Sequence, residues 1–416
     1  MYGTLGLWYE YRNNISDIGP TLEEKPKADI HVNLWRDVGY KLNYFDFGIL
    51  LKDISNVSKI FLYIPTLVKK SQICDLGCSL KESDTLNAVF NELYRINNEF
   101  DKYFFVSDIN DRTENKKVIH EIDVDSDLSV NIFNISRGNN GTIISFSCEL
   151  LNRIRNSLSS DYTDSYIRIR IVLDKNSKNI FTSDDNSSDV GFSISHNTTE
   201  VTEFRFNERR SYPSNVLARS LSGKQFDIRA IYYFLMRNKK YSLKSQHQNF
   251  KKIRFLEPRI WDRYASYGNA SGKVLQLNQS MMIYQWRSSV KKDEEGIIDF
   301  SAYASFENNS LKILSYIIVL LAFGGVGGSV LNIMIDFMKI RSEGNSALGV
   351  ILLAYNPQKV TDKIHDTAID LRMNLISFFI LMFIALCPVL WFFIKKSVSE
   401  FFHKYVSNRI QNTFYN

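Results

Sequence analysis

Two long apolar stretches near the C-terminal end constrain this chain more than any other feature in it. Ile313–Ile335 runs 23 residues without a charge between Lys312 and Asp336, and Leu375–Ile394 runs 20 between Asn374 and Lys395. A bilayer core about 30 Å thick is crossed by roughly 20 apolar residues rising 1.5 Å each, so each stretch has the length of a span. Helices of a water-soluble core are shorter on average and keep a polar face. The expectation is a C-terminal two-helix transmembrane hairpin over 311–396, with a loop at 337–374 and an amphipathic tail at 397–416. In that tail Phe401, Phe402, Tyr405, Val406 and Ile410 alternate with Lys404 and Arg409 as an interfacial helix would.

Ahead of the hairpin, Met1–Arg12 has no basic n-region, apolar core or cleavage site, so no secretory signal is expected. A large domain made without a signal is expected to stay inside. The expected location is therefore the inner (plasma) membrane, multi-pass, with N- and C-termini cytoplasmic. Loop cations (Lys339, Arg341, Lys359, Lys363, Arg372) and tail cations (Lys395, Lys396, Lys404, Arg409) are too evenly matched to set orientation. Cys74, Cys78, Cys148 and Cys387 form no disulfide framework, and Cys74 and Cys78 lack the second pair or nearby histidine of a zinc site.

The region before the hairpin reads as mixed α+β with strands dominant. Ile30, Val32 and Leu34 alternate with His31, Asn33 and Trp35, the period of a strand. Further strands are expected at 45–51, 60–64, 103–106, 118–124, 128–134, 142–148, 201–206, 252–256, 274–277 and 281–286. Tyr166–Leu173 sets Ile167, Ile169 and Ile171 on one face and Arg168 and Arg170 on the other. Leu86, Val89, Phe90, Leu93 and Tyr94 share a helical face, with Ser83 or Asp84 as N-cap. Leu150–Leu158 is a short helix by the same signals. The Ser/Asn/Asp-rich stretch 174–200 reads as a long loop or boundary. This divides the chain into a strand-rich domain, 1–200, and a basic strand-rich region, 201–310, that continues or adjoins it.

Chemistry-bearing motifs are sparse. The six histidines show no paired metal spacing, and no nucleophile elbow or glycine-rich nucleotide loop occurs. Ser222-Gly223-Lys224 resembles a fragment of a phosphate-binding loop but lacks the preceding glycine and the following hydroxyl residue. Glu121, Asp123, Asp125 and Asp127 alternate, so on a strand they would share one acidic face. No catalytic residue, metal site or cofactor is implied.

The basic stretch is the stronger signal. Val201–Arg263 holds 15 Lys and Arg against 5 Asp and Glu. Arg209, Arg210, Arg237, Lys239, Lys240, Lys251, Lys252 and Arg254 stand among Tyr212, Tyr232, Tyr233, Phe250 and Phe255, a mixture suited to a phosphate-bearing partner. In the first apolar stretch, Gly324, Gly325, Gly327, Gly328 and Ser329 give two overlapping small-xxx-small registers, with Asn332 one turn on. They are the expected helix-packing residues, serving either the second stretch or another copy of the chain.

A large cytosolic domain on a two-span hairpin, without enzyme motifs, resembles the two-transmembrane effectors of bacterial antiviral defence systems. The resemblance is one of layout and carries over no residue. It implies a non-enzymatic effector of abortive infection: a domain that senses a signal or partner, and spans that assemble to disrupt the inner membrane. The partners so implied are membrane lipid, further copies of the chain through the first span, and a nucleotide, nucleic acid or protein signal. Two other readings are a membrane-tethered binding or scaffold protein for nucleic acid or anionic lipid, and an enzyme whose site is assembled from distant segments.

Overall fold

The computed structural model describes residues 3–12, 25–38, 42–109, 116–135, 139–175, 177–186, 196–247, 249–268, 277, 281–291, 293–310, 313–342, 369–370 and 372–383. They fall into two units, Met1–Ser188 with His196–Asn309, and Asp189–Ser195 with Ser310–Asn416. The chain is mixed α+β and rich in strands. In order these are β1 (Gly6–Tyr11), β2 (Lys27–Val38), β3 (Leu42–Lys52), β4 (Val57–Ile64), β5 (Ile73–Asp75), β6 (Tyr94–Glu99), β7 (Tyr103–Asp108), β8 (Lys116–His120) and β9 (Leu128–Ile135). They continue with β10 (Asn139–Phe146), β11 (Asp164–Leu173), β12 (Thr182–Asn186), β13 (His196–Phe206), β14 (Asp227–Asn238), β15 (Tyr241–Gln246), β16 (Lys252–Phe255), β17 (Met281–Ser289) and β18 (Phe300–Ser310). The helices of the first unit are α1 (Ser83–Phe90), α2 (Val124–Asp127), α3 (Cys148–Ser157), α4 (Ser214–Ser222) and α5 (Pro258–Ser266).

A ten-stranded sheet forms the middle of the first unit, in the order β16-β17-β14-β2-β3-β11-β8-β7-β6 with β5 also on β11. Residues 201–310 contribute β14, β16 and β17 to it, and β14 pairs parallel with β2, from Asp227 beside Lys27 to Met236 beside Trp35. On one face Ile30, Val32, Phe47, Ile49, Ile167 and Ile169 meet residues of two four-stranded sheets, β1-β4-β10-β9 and β12-β13-β18-β15. On the other face Trp35, Tyr44 and Tyr166 meet α1 and α5. The central strands are therefore covered on both sides, which explains why β2 and β3 are buried almost throughout.

Burial on both faces gives Arg168 and Arg170 a task that their alternation alone does not show. Both are buried with Asp46. Arg170 grips Asp46 bidentately, Nε to Oδ1 at 2.7 Å and Nη2 to Oδ2 at 2.9 Å, while Trp35 Nε1 and the Tyr264 hydroxyl donate to the same carboxylate at 2.8 Å. Arg168 donates to the Tyr264 and Tyr166 hydroxyls at 2.7 and 2.8 Å. The Asn33 oxygen, in the amide orientation that satisfies both its ends, accepts from Arg168 at 2.7 Å. Gly48 makes the room: a Cβ there would lie 2.2 Å from the Tyr166 hydroxyl. A second clamp joins two sheets, with Glu200 on β13 accepting from Arg36 and Arg237 at 2.8 Å each.

Several sequence expectations change in this setting. The helix expected to run through Tyr94 ends at Phe90, because Asn91 turns left-handed (φ 55) and Tyr94 opens β6. Asp227–Asn238, outside the expected strands, forms β14. Thr182–Asn186 and the start of β13 lie inside the stretch read as loop. Glu121–Asp127 is not a strand, since β8 stops at His120 and Asp123 caps α2 through a bond from Asp125 N at 3.1 Å. Glu121 pairs instead with Lys81 at 2.7 Å and Asp127 with Arg153 at 2.6 Å, so no common acidic face exists. No metal-ligating cluster occurs among the described residues. For the strand expected at 274–277, only Leu277 is among the described residues.

In the second unit, α6 (Ile313–Ser342) packs antiparallel on the helical run 372–383: Gly325 faces Leu381, and Asn374 donates to Asp336 at 2.8 Å. The membrane assignment does not survive. Among the described residues no helix is long and apolar enough to cross a membrane. Within α6, Gly324, Gly325, Gly327, Gly328, Ser329 and Asn332 dilute the apolar run, and Asp336 and Lys339 follow it. Of the second apolar stretch, the described residues include 375–383. The two-span hairpin, the multi-pass inner-membrane location and the orientation of the termini therefore lose their basis. Residues 384–394, the 343–368 part of the expected loop and the 397–416 tail lie outside the described residues.

The small-residue patch divides between two faces of α6. Gly325 and Ser329 lie toward the second helix; a Cβ on Gly325 would come within 2.8 Å of Leu381 Cδ1. Gly324, Gly327 and Gly328 have nothing within 4 Å of such a Cβ. Asn332 is exposed.

Candidate anion-binding cleft

The eight cations singled out from the basic stretch do not meet. Arg237 is buried and held by Glu200 and Asp37. Arg210 pairs with Glu208, and Arg254 with Glu257. Arg209 follows β13, Lys239 and Lys240 sit in the turn after β14, and Lys251 and Lys252 open β16, all five exposed on three separate elements. Edge strands that carry lysine at intervals discourage pairing with other chains, an adequate use for Lys251 and Lys252.

Cations converge instead where the N-terminal strand meets the end of α4. A cleft of about 450 Å³ is lined by Tyr9, Glu10, Tyr11, Arg12, Ser58, Lys59, Ser222, Gly223 and Lys224. Three cations thus stand against one carboxylate, and Arg12, Lys59 and Lys224 are exposed, each without an ion pair among the described residues. The Ser222-Gly223-Lys224 fragment is here, but it follows a helix rather than preceding one, so it is no phosphate-binding loop of the usual strand-to-helix kind.

Each wall has a local cause. Lys224 is tied to β1 by a two-bond bridge, Tyr9 N to Lys224 O at 2.9 Å and Lys224 N to Tyr9 O at 2.8 Å. That approach needs glycine at 223, where a Cβ would lie 2.6 Å from Trp8 Cδ1 and 2.9 Å from Tyr9 O. On the opposite wall the β1–β4 register slips between Glu10 and Tyr11, leaving Ser58 without a cross-strand partner. The Ser58 hydroxyl pins this bulge by donating to Glu10 O at 3.0 Å and Tyr11 O at 2.9 Å. Bulges of this kind re-aim neighbouring side chains and recur beside binding sites.

The electrostatics of the cleft are those of an unmet positive field. Behind Arg12 lies Arg155, whose guanidinium donates to Val57 O at 2.7 Å; burial, then the charge of Arg12, push its pKa down. Lys224 also complements the partial negative charge at the end of α4, and Lys59 stands opposite Glu10 across the β1–β4 pair, but Arg12 has no such use. Burial, then the hydrogen bond to Tyr11, raise the Tyr9 phenol, so it stays neutral. No acid or base in the cleft is placed for proton transfer.

The nearest catalytic-looking pair lies elsewhere, beside a hollow lined by Tyr103, Glu149, Asn152, Arg153, Asn156 and Ser157. His120 Nε2 is 3.3 Å from Ser157 Oγ, but that hydroxyl donates to Ile154 O at 2.7 Å and His120 Nδ1 has no partner to orient the ring. A nucleophile needs a base that is itself oriented, and this pair lacks one.

No family model matches the chain, and no curated protein is similar to it.

Sequence reasoning named Lys224 and its two neighbours only as an incomplete motif and missed Arg12 and Lys59 entirely. They are far apart in the chain, and no local pattern marks them.

Proposed function

We propose that the first unit is a non-enzymatic receptor domain that binds a phosphate-bearing anion in the cleft of Arg12, Lys59 and Lys224. The observation that carries this reading is three exposed, unpaired cations ringing one concavity against a single carboxylate. Charge-assisted bonds to an anion contribute about 1.5–3 kcal/mol each. Reversing Lys59 and Lys224 together to glutamate is therefore expected to weaken pyrophosphate binding by at least about 100-fold. Isothermal titration of the full chain measures this. Wild-type protein that ignores millimolar pyrophosphate, or a double variant that binds it equally well, would sink the reading.

A second observation favours self-association through the helical hairpin. Gly324 and Gly328 repeat, on the open side of α6, the spacing with which Gly325 and Ser329 receive the second helix. That second helix exposes Ile376, Phe379, Ile380 and Phe383, bulky residues that would fit such a groove on another copy. Leucine at Gly324 and Gly328 is expected to lower the oligomeric state of the full chain in sedimentation. An unchanged distribution of species would count against a contact through this face. The defence-effector role implied by layout rested on two spans and forms no part of this proposal.

A further inference from the structure

We propose that the ligand of this cleft is a nucleotide, its base stacked on Tyr11 and its phosphates held by Arg12, Lys59 and Lys224. This rests on reading the cleft as an anion site and adds what the ligand carries besides charge. Tyr11 is 39% exposed at the end of β1, although its neighbour Tyr9 is buried. The two rings meet edge to face, centroids 5.4 Å apart and planes at 88°, which fixes the orientation of Tyr11 from one side. Tyr9 is itself locked against Phe226 at 4.7 Å. The bulge at Ser58 holds the backbone of Tyr11, so ring and cations are presented from one braced edge.

An aromatic ring held in place beside unpaired cations is the arrangement that binds a base and its phosphates together, since every base offers a flat π face. A bare phosphate needs only the cations, whereas this cleft also presents the exposed ring of Tyr11. The volume, about 450 Å³, lies within the range of small-ligand sites.

Titration of the full chain with ADP and with pyrophosphate tests the inference, because the two share the phosphate pair and differ by ribose and base. ADP is expected to bind about tenfold tighter than pyrophosphate. Tyr11→Ala is expected to erase that preference, and Tyr11→Phe to keep it. Equal affinities for ADP and pyrophosphate in the wild type, or a preference that survives Tyr11→Ala, would overturn the nucleotide assignment and leave the anion site standing. Binding of neither ligand would overturn both.

Discussion

Replacing Asp46 by alanine is expected to remove about 3–5 kcal/mol of folding stability, because it leaves the buried guanidinium of Arg170 without its carboxylate and Arg168 without the nearest negative charge. The loss reaches beyond one ion pair. Asp46 also accepts from Trp35 Nε1 and the Tyr264 hydroxyl, so three groups from β2, β11 and α5 lose an acceptor together. Arg170 further holds α5 through the carbonyls of Tyr264 and Tyr267 at 2.8 and 3.0 Å. Urea unfolding followed by tryptophan emission measures the effect, since Trp35 and Trp261 lie at this junction with ring centroids 5.7 Å apart. A loss below about 1 kcal/mol would show that water or a neighbouring group compensates the guanidinium. Replacing the pair with apolar residues, Asp46→Leu with Arg170→Met, is expected to restore part of the stability lost in the single variant.

Acidification from pH 7.5 to 5 is expected to lower stability by about 2–3 kcal/mol, well before ordinary carboxylates protonate. His31 and His120 are both buried and both pushed down to about 3, first by burial, then by Arg168 and Lys117 around His31 and by Arg153 beside His120. The folded state keeps them neutral where an unfolded histidine takes up a proton near pH 6.5. Below that pH the unfolded chain binds more protons, so stability falls with pH by up to about 1.4 kcal/mol per unit for each ring.

Two carboxyls oppose this. Burial raises Asp75 to about 6 and also raises Asp29, so both hold protons in the fold at pH values where the unfolded chain has lost them. Asp75 favours folding as the pH drops below about 6, and Asp29 acts in the same direction. The urea midpoint is therefore expected to fall from about pH 6.5 downward, with the two carboxyls offsetting part of the loss. His120→Gln should remove about half of the initial slope. A midpoint that stays level or rises between pH 7.5 and 6 would contradict the burial of these two rings.

How much of the molecule was legible in the chain depended on whether the signal was periodic or contextual. Alternation marked most of the long strands because a two-residue period is imposed by the backbone itself, whatever packs on either face. It could not say that the face of Arg168 and Arg170 is dry. That required α5, whose Trp261, Tyr264 and Ala265 carry the buried i, i+3, i+4 pattern after a proline at its first turn. The same limit explains Glu121–Asp127. Its alternation is that of a strand, but an aspartate capping the backbone two residues on competes with strand pairing and won. Composition pointed to an anionic partner, but the cations it singled out do not come together in the fold. Charge density along the chain counts cations without showing which are neutralised, and Arg237, Arg210 and Arg254 each have a carboxylate within reach.

The sequence by itself determined that this chain builds a large strand-rich α+β unit and carries apolar helical segments after it, since both follow from periodicity and run length. Only the tertiary structure decided the rest. It put Arg12, Lys59 and Lys224 around one cleft, turned the Gly325 register toward a neighbouring helix and left the Gly324 register open. Among the described residues it shows no helix long and apolar enough to cross a membrane. The reason is geometric: proximity between residues distant in the chain is created by sheet order and register, which long-range packing sets and no local window of residues encodes.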